Sequence, residues 1–361
     1  MALRETNLNI NIDAIKHNIE ELRHSSKKEI IGVIKANAYG VGMIEMAKVL
    51  LFNKINILAV SSLDEALILR KSGISSDVLV LGYTSAKHYK IALENNIILT
   101  VNSLDFVREL SLENVENLRV HIKIDTKMHR IGFTKIDNFT KAIDDLLKLK
   151  VEIEGVFTHY ACSDYDDKTT NEQYQLFEKY LKSTNFKFKW IHASNSDGAL
   201  HFDNESKTNA IRSGIALLGY AKYHQNLLPA LSLTTAISQI NHLKKGDSVS
   251  YGATYCASES EIIATLPIGY GDGFIRANQG RSVYLNNEYA NIIGRICMDQ
   301  MIIKISKEYP IGSEVEIFGQ HIDLFKMAEE LNTIVYEIIT LIANRVNRRY
   351  YENNKLTNKY K

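Results

Sequence analysis

The chain of 361 residues carries no surplus of charge of either sign: 43 Lys and Arg balance 42 Asp and Glu, for a net charge of +1. That excludes the broad basic footprint with which proteins hold nucleic acid or an anionic membrane surface, and leaves small molecules or other proteins as partners. Cysteine is scarce as well. Cys162, Cys256 and Cys297 are odd in number and scattered, without a CxxC pair or metal-ligand spacing. Neither a disulfide framework nor a metal site is expected, and a reduced, cytoplasmic setting fits. No run of about 18 apolar residues occurs, and the opening MALRETNLNI is polar where a secretory signal needs an apolar stretch, so a soluble, unprocessed protein is the expectation. Internal repeats of roughly 20 to 50 residues and low-complexity linkers are also missing.

What the chain has in quantity is alternation. From Lys28 to Gly214, eight short runs rich in Ile and Val alternate with segments of helical period: EIIGVI (29–34), INILAV (55–60), DVLVLG (77–82), NIILTV (96–101), LRVHIKI (118–124), IEGVFTH (153–159), FKWIHA (188–193) and AIRSG (210–214). The intervening LDEALILRKSG places its Leu and Ala on one helical face and stops at Gly73. Eight βα units of this kind predict a closed α/β architecture, the (β/α)8 barrel of the TIM type.

After about residue 230 the pattern changes to strand-like pieces between turn signals, LTTAISQI, DSVSYGATY, EIIATLPIGY, RSVYLNN, ANIIGRICM, MIIKIS and EVEIFG. A final segment, LFKMAEELNTIVYEIITLIANRVNRRYY, reads as helical and ends in a basic, polar tail. Two domains are therefore expected, a barrel over 1–230 and a mostly-β domain over 231–361, with about the first ten residues free to pack with the second.

In such a barrel the active site lies at the carboxyl ends of the strands. Lys35 follows the first run, Lys123 and Asp125 end the fifth, His159 ends the sixth, Asn195 and Ser196 follow the seventh, and Arg212 with Gly214 ends the eighth. Any one of these could be a solvated rim residue; together they describe a mouth for an anionic ligand. A lysine leaving an apolar strand is partly desolvated, and its neutral amine can form a Schiff base. Ser196 and the backbone at 212–214 stand where this fold holds phosphate. Lysine and phosphate cradle together suggest pyridoxal 5'-phosphate.

Four segments, VIKANAYG (33–40), SYGATY (250–255), GYGDG (269–273) and GRICMDQ (294–300), occur in the order of family signatures, and over nearly its whole length the sequence resembles the alanine racemases. The resemblance implies a pyridoxal phosphate enzyme that interconverts L- and D-alanine, supplying D-alanine for the cell wall as a head-to-tail homodimer with shared active sites. Lys35 would then carry the cofactor and serve one face of the substrate, and Tyr251 of a second chain would serve the other. Tyr39, Ser196, Gly214, Ile215 and Tyr336 would surround the phosphate, Asn195 would also bind the cofactor, His159 would lie against the ring, and Arg130 would reach the phenolic oxygen or the substrate carboxylate. Arg212 would face the pyridine nitrogen; a guanidinium that keeps its protons leaves that nitrogen unprotonated, which weakens the electron sink and favours racemisation over side reactions. Met298 would help bind substrate from the partner, with Asp299 and Tyr270 in support. Lys123 matches a lysine that is carbamylated in some members.

Several positions depart from the pattern. Lys127 and His129 in DTKMHR replace glycines, Val41 replaces a common histidine, Lys304 an aspartate and Leu218 a tyrosine. The first pair is expected to alter the substrate loop, Val41 to be peripheral, and Lys304 to affect a dimer surface. Barrel decarboxylases that use the same cofactor share the lysine position, but their cysteine-glutamate motif is missing here. A serine or broad-specificity racemase stays open, because a hydroxyl or methylene changes discrimination in an apolar pocket by only about 1–3 kcal/mol. So does a non-catalytic carrier of the cofactor, although such proteins generally lack the second domain and its tyrosine.

Overall fold

The computed structural model describes residues 4–202, 205–222 and 226–360. Residues 1–3 and 361, at the outer ends of the two expected domains, lie outside the described residues. Two compact units are present: one comprises Ala14–Ala38, Gly42–Leu228 and Tyr360, the other residues 4–13, Tyr39–Val41 and Pro229–Lys359.

The first unit is built on eight parallel strands. After β1 (Asn7–Asn11), which belongs to the other unit, come β2 (Glu29–Val33), β3 (Ile57–Val60), β4 (Asp77–Val80), β5 (Leu99–Val101), β6 (Arg119–Lys123), β7 (Glu152–Phe157), β8 (Trp190–His192) and β9 (Ala210–Ser213). They pair in the order β4-β3-β2-β9-β8-β7-β6-β5. A parallel bridge between Leu79 and Ile98, with Val80 N–H donating to Ile98 O at 2.9 Å, closes the ring. The strands are short and nearly continuous in buried Ile, Val and Leu because both of their faces are covered. The intervening helices begin where a side chain takes an otherwise unpaired N–H: Ser62 accepts from Glu65, Ser103 from Phe106, and Asp166 from Thr169. The helix after β3 runs Leu63–Lys71, with Gly73 just beyond it at a φ of 80°.

Along β6, Arg119, His121 and Lys123 sit at alternate positions and line the interior at successive heights. Arg119 pairs with Asp77 at 2.8 Å and Glu154 at 2.5 Å, His121 meets His192 at 3.0 Å, and the Lys123 amine lies 4.5 Å from the centre of the Phe157 ring. The barrel core is thus polar along this strand.

The second unit holds a ten-stranded sheet into which the amino-terminal β1 is inserted, antiparallel to β10 (Leu231–Ala236). On its other side β1 runs parallel to Asn347–Glu352. That corrects the reading of the last segment: only Leu324–Glu330 and Val335–Thr340 are helical, and the RVNRRYY stretch forms a strand. Its alternation was hidden because Arg and Tyr occupy both faces of the strand, with Tyr350 buried. SYGATY is likewise no strand; a tight turn at Tyr251–Ala253 separates Ser248–Val249 from Tyr255–Cys256. Among the described residues, no helix is long and apolar enough to cross a membrane.

Candidate active site

Lys35 emerges from β2 into a turn that the sequence does not advertise. Ala36, Asn37, Ala38 and Tyr39 all have φ between 51° and 56°, a left-handed turn without a glycine. Each such residue costs roughly 1–2 kcal/mol, so the surroundings must impose it. Ala38 N–H donates to Ile34 O at 2.9 Å, Gly42 N–H to Asn37 O at 3.0 Å, Met43 N–H to Asn37 Oδ1 at 2.9 Å, and Ala36 N–H to the Glu65 carboxylate at 2.6 Å. Glu65, which the sequence did not single out, also accepts from Ser61 N–H and Oγ–H at 2.8 Å and so ties the ends of β2 and β3 together.

Burial, and then the positive charge of Arg130, hold the Lys35 amine below its ordinary pKa, with Glu65 opposing and Arg212 adding to the shift. The Lys123 amine is wholly buried and held well below its usual range by desolvation first and by Arg212 and Arg130 next. Both amines therefore give up a proton more readily than a solvated lysine.

Arg212 is buried at the end of β9 and donates to four acceptors: His192 Nδ1 at 2.7 Å, Thr158 O at 2.8 Å, Ala193 O at 2.7 Å and His159 Nδ1 at 3.0 Å. Desolvation pushes it down to about 10, still protonated at neutral pH. His159 stands two residues beyond the last residue of β7, and burial, then Arg212, keeps it neutral. His192 was not foreseen: it is the last residue of β8, but the apolar run FKWIHA reads as core past it.

The Ser196 hydroxyl lies 3.4 Å from Ser213 Oγ and accepts long contacts of 3.3 Å from both Gly214 N–H and Ala216 N–H. Hydroxyl and amide donors thus converge on one point beside Ile215, a donor set suited to phosphate oxygens. Asn195 is used differently: its Oδ1 accepts from Gly198 N–H at 3.1 Å and Ser163 Oγ–H at 2.6 Å, capping the helix that presents Ser196.

Arg130 is held by its backbone. Asp125 Oδ1 accepts from His129 N–H at 3.0 Å and Oδ2 from Arg130 N–H at 3.1 Å, which closes the loop after β6. Lys127 and His129 in this loop have φ of 77° and 55°, the region that glycine tolerates at least cost. Replacing either by glycine is expected to raise stability by about 1 kcal/mol, read from the denaturant midpoint; an unchanged midpoint would reject the strain.

In the second unit, Tyr39 and Tyr336 meet edge to face at 5.9 Å, and Val41, expected to be peripheral, is buried, its carbonyl accepting from Tyr350 Oη–H at 2.7 Å. Lys304 pairs with Glu261 at 3.1 Å on a neighbouring strand. Leu218 is buried in the Ile215–Leu218 turn of the barrel unit.

The other three motifs fold together. Tyr270 N–H donates to Cys297 O at 3.0 Å, Gly271 N–H to Met298 O at 2.8 Å, and Ser250 Oγ–H to Arg295 O at 2.5 Å. A Cβ on Gly269 would stand 2.2 Å from Cys297 O, so only glycine permits this approach. The assembled face leaves Tyr251 71%, Met298 54% and Tyr270 42% exposed. Asp299 is engaged by Arg345 at 2.8 Å.

The family model for the N-terminal domain of alanine racemase matches residues 10–222, and the one for its C-terminal domain residues 230–350. The alanine racemase of Limosilactobacillus reuteri is 40% identical over 366 aligned residues, covering 96% of this chain and 98% of that protein. Among solved structures, the alanine racemase of Bacillus anthracis with bound L-Ala-P superposes with a TM-score of 0.92 at 36% identity, over 98% of this chain and 96% of that one. The histidine racemase of Leuconostoc mesenteroides subsp. sake reaches a TM-score of 0.91 at 26% identity, over 98% and 99%. With family models spanning both units and a relative this similar along nearly its whole length, the chain belongs to the alanine racemase family.

Proposed function

We propose that the chain racemises alanine by two opposed bases, Lys35 and the partner subunit's Tyr251, and so supplies D-alanine for cell-wall synthesis. The observation that carries this is the pairing, at one barrel mouth, of a lysine amine depressed by burial with a Ser196–Gly214 donor set fitted to a phosphate. The residues of the barrel unit fit pyridoxal phosphate: Lys35 as covalent anchor, Ser196 with the Gly214 to Ala216 backbone for its phosphate, and His159 and Arg212 for its ring. Bound there, the cofactor would draw electron density from the α-carbon of an attached amino acid and make its proton removable.

Lys35, whose amine burial makes easier to deprotonate, would take or return the α-proton on one face. The phenolic O–H of the partner subunit's Tyr251 is a donor and would deliver one on the other. Arg212 keeps its protons, so it donates a hydrogen bond without giving up charge. Arg130, positioned by Asp125, would hold the substrate carboxylate, with Met298 of the partner subunit opposite. Lys123, its amine held well below the usual lysine range by burial and by the charges of Arg212 and Arg130, is disposed to take up carbon dioxide as a carbamate that would pair with Arg130; an intact mass under native conditions reads this directly.

A face carrying exposed Tyr251, Tyr270 and Met298 around glycine-built turns supports a homodimer in which that face closes another chain's site. The test follows α-proton exchange and chirality of alanine, with serine, histidine and lysine in parallel. Interconversion of alanine in preference to the others is expected; exchange with none of them removes the racemase reading.

A further inference from the structure

Beneath Arg212 the barrel interior contains a second imidazole that the proposed reaction does not use. A guanidinium has N–H donors and no acceptor, so its 2.7 Å contact with His192 Nδ1 requires that nitrogen to be bare and the His192 proton to sit on Nε2. His192 Nε2 lies 3.0 Å from His121 Nδ1, which must then accept. The His121 proton is thereby placed on Nε2, which is buried and without a hydrogen-bond partner. The chain of donation runs from Arg212 to His192 to His121 and stops there.

We propose that His121 is a positioning residue for Arg212: by accepting the His192 Nε2–H it holds His192 in the one tautomer that can receive the guanidinium. It thereby fixes the direction in which Arg212 presents its remaining donors. The inference deepens the reading of Arg212 as the partner of the cofactor ring and rests on it.

Four further features favour the chain. An imidazole buried with one nitrogen unpaired loses stability that an apolar side chain of similar volume would keep, so packing alone gives no reason for a histidine here. The fold makes room for it: a Cβ on Gly155, its neighbour on β7, would stand 2.6 Å from His121 Nδ1 and Cε1. Phe157 then stacks on His192 at 4.8 Å and 10°, which orients the middle ring. Burial first, and then Arg119, pushes His121 down to about 3, so the direction of donation does not reverse near neutral pH.

The test uses the full-length holoenzyme labelled with 15N-histidine. In the wild type both His192 and His121 should show a protonated Nε2 and a bare Nδ1; a proton on His192 Nδ1 would overturn the proposal without any mutant. His121→Leu removes the acceptor, and His121→Asn restores an oxygen near the place of Nδ1. In His121→Leu the His192 nitrogen shifts should move toward the tautomeric average, and kcat should fall roughly 10-fold with KM little changed. His121→Asn should recover both. Unchanged His192 shifts in His121→Leu, or a His121→Asn enzyme as impaired as His121→Leu, would show that only packing is involved. A wild type with the expected tautomers but no racemisation would leave the chain of hydrogen bonds standing and remove the functional reading instead.

Discussion

Tyr251→Phe is expected to lower racemisation of alanine by about 10²- to 10⁴-fold, the usual worth of a general acid or base. The loss should be equal in both directions, because the equilibrium between enantiomers is fixed and a catalyst cannot slow one direction alone. What should survive is one-sided exchange: the Lys35 face would still remove and return the α-proton of one enantiomer, so that isomer alone takes up solvent deuterium. Cofactor absorbance should be intact, since Tyr251 belongs to the exposed turn at Tyr251–Ala253 and not to the barrel that carries Lys35. Proton NMR in deuterium oxide separates the cases. Exchange lost from both enantiomers, or lost together with the absorbance, would mean that Tyr251 shapes the site and does not deliver the proton.

Acid should destabilise the barrel more steeply than its surface charges suggest. His121 and His192 are wholly buried, and both are held below the ordinary histidine pKa by desolvation, with Arg119 next for His121 and Arg212 next for His192. Their folded pKa values are depressed, so below about pH 6.5 the unfolded chain binds protons that the folded chain refuses. Their contribution is present above that value and is lost as pH falls, for His121 down to about 3. From pH 7 to pH 5.5 His121 alone should cost about 1 kcal/mol, and His192 shifts stability in the same direction. Denaturant midpoints across that range test this, and His121→Asn should make the slope shallower. A midpoint unchanged from pH 7 to pH 5.5 would contradict it.

The residues that were legible in the sequence share one property: they end strands. Lys35, Lys123, Ser196 and Arg212 could be picked out because a repeated βα pattern names its own carboxyl ends, where the fold gathers polar groups. His121 was illegible for the converse reason, and His192, although it ends β8, because the run FKWIHA continues past it. Each lies within an apolar run, and period two does not distinguish an imidazole that fills space from one that orders a neighbour. Glu65 was hidden in a helical first turn where an acidic residue is common for reasons of the helix alone.

Local sequence therefore determined the barrel, its eight strands and the lysine at the end of the first, because these follow from periodicity over adjacent residues. The tertiary structure decided what adjacency cannot express: β1 inserted between β10 and a strand more than 300 residues later, and three glycine motifs folded onto one face. It also decided the left-handed turn after Lys35, where four residues without a glycine are held by hydrogen bonds from outside the turn as well as within it. Such features depend on partners distant in the chain, whose identity a local pattern does not contain.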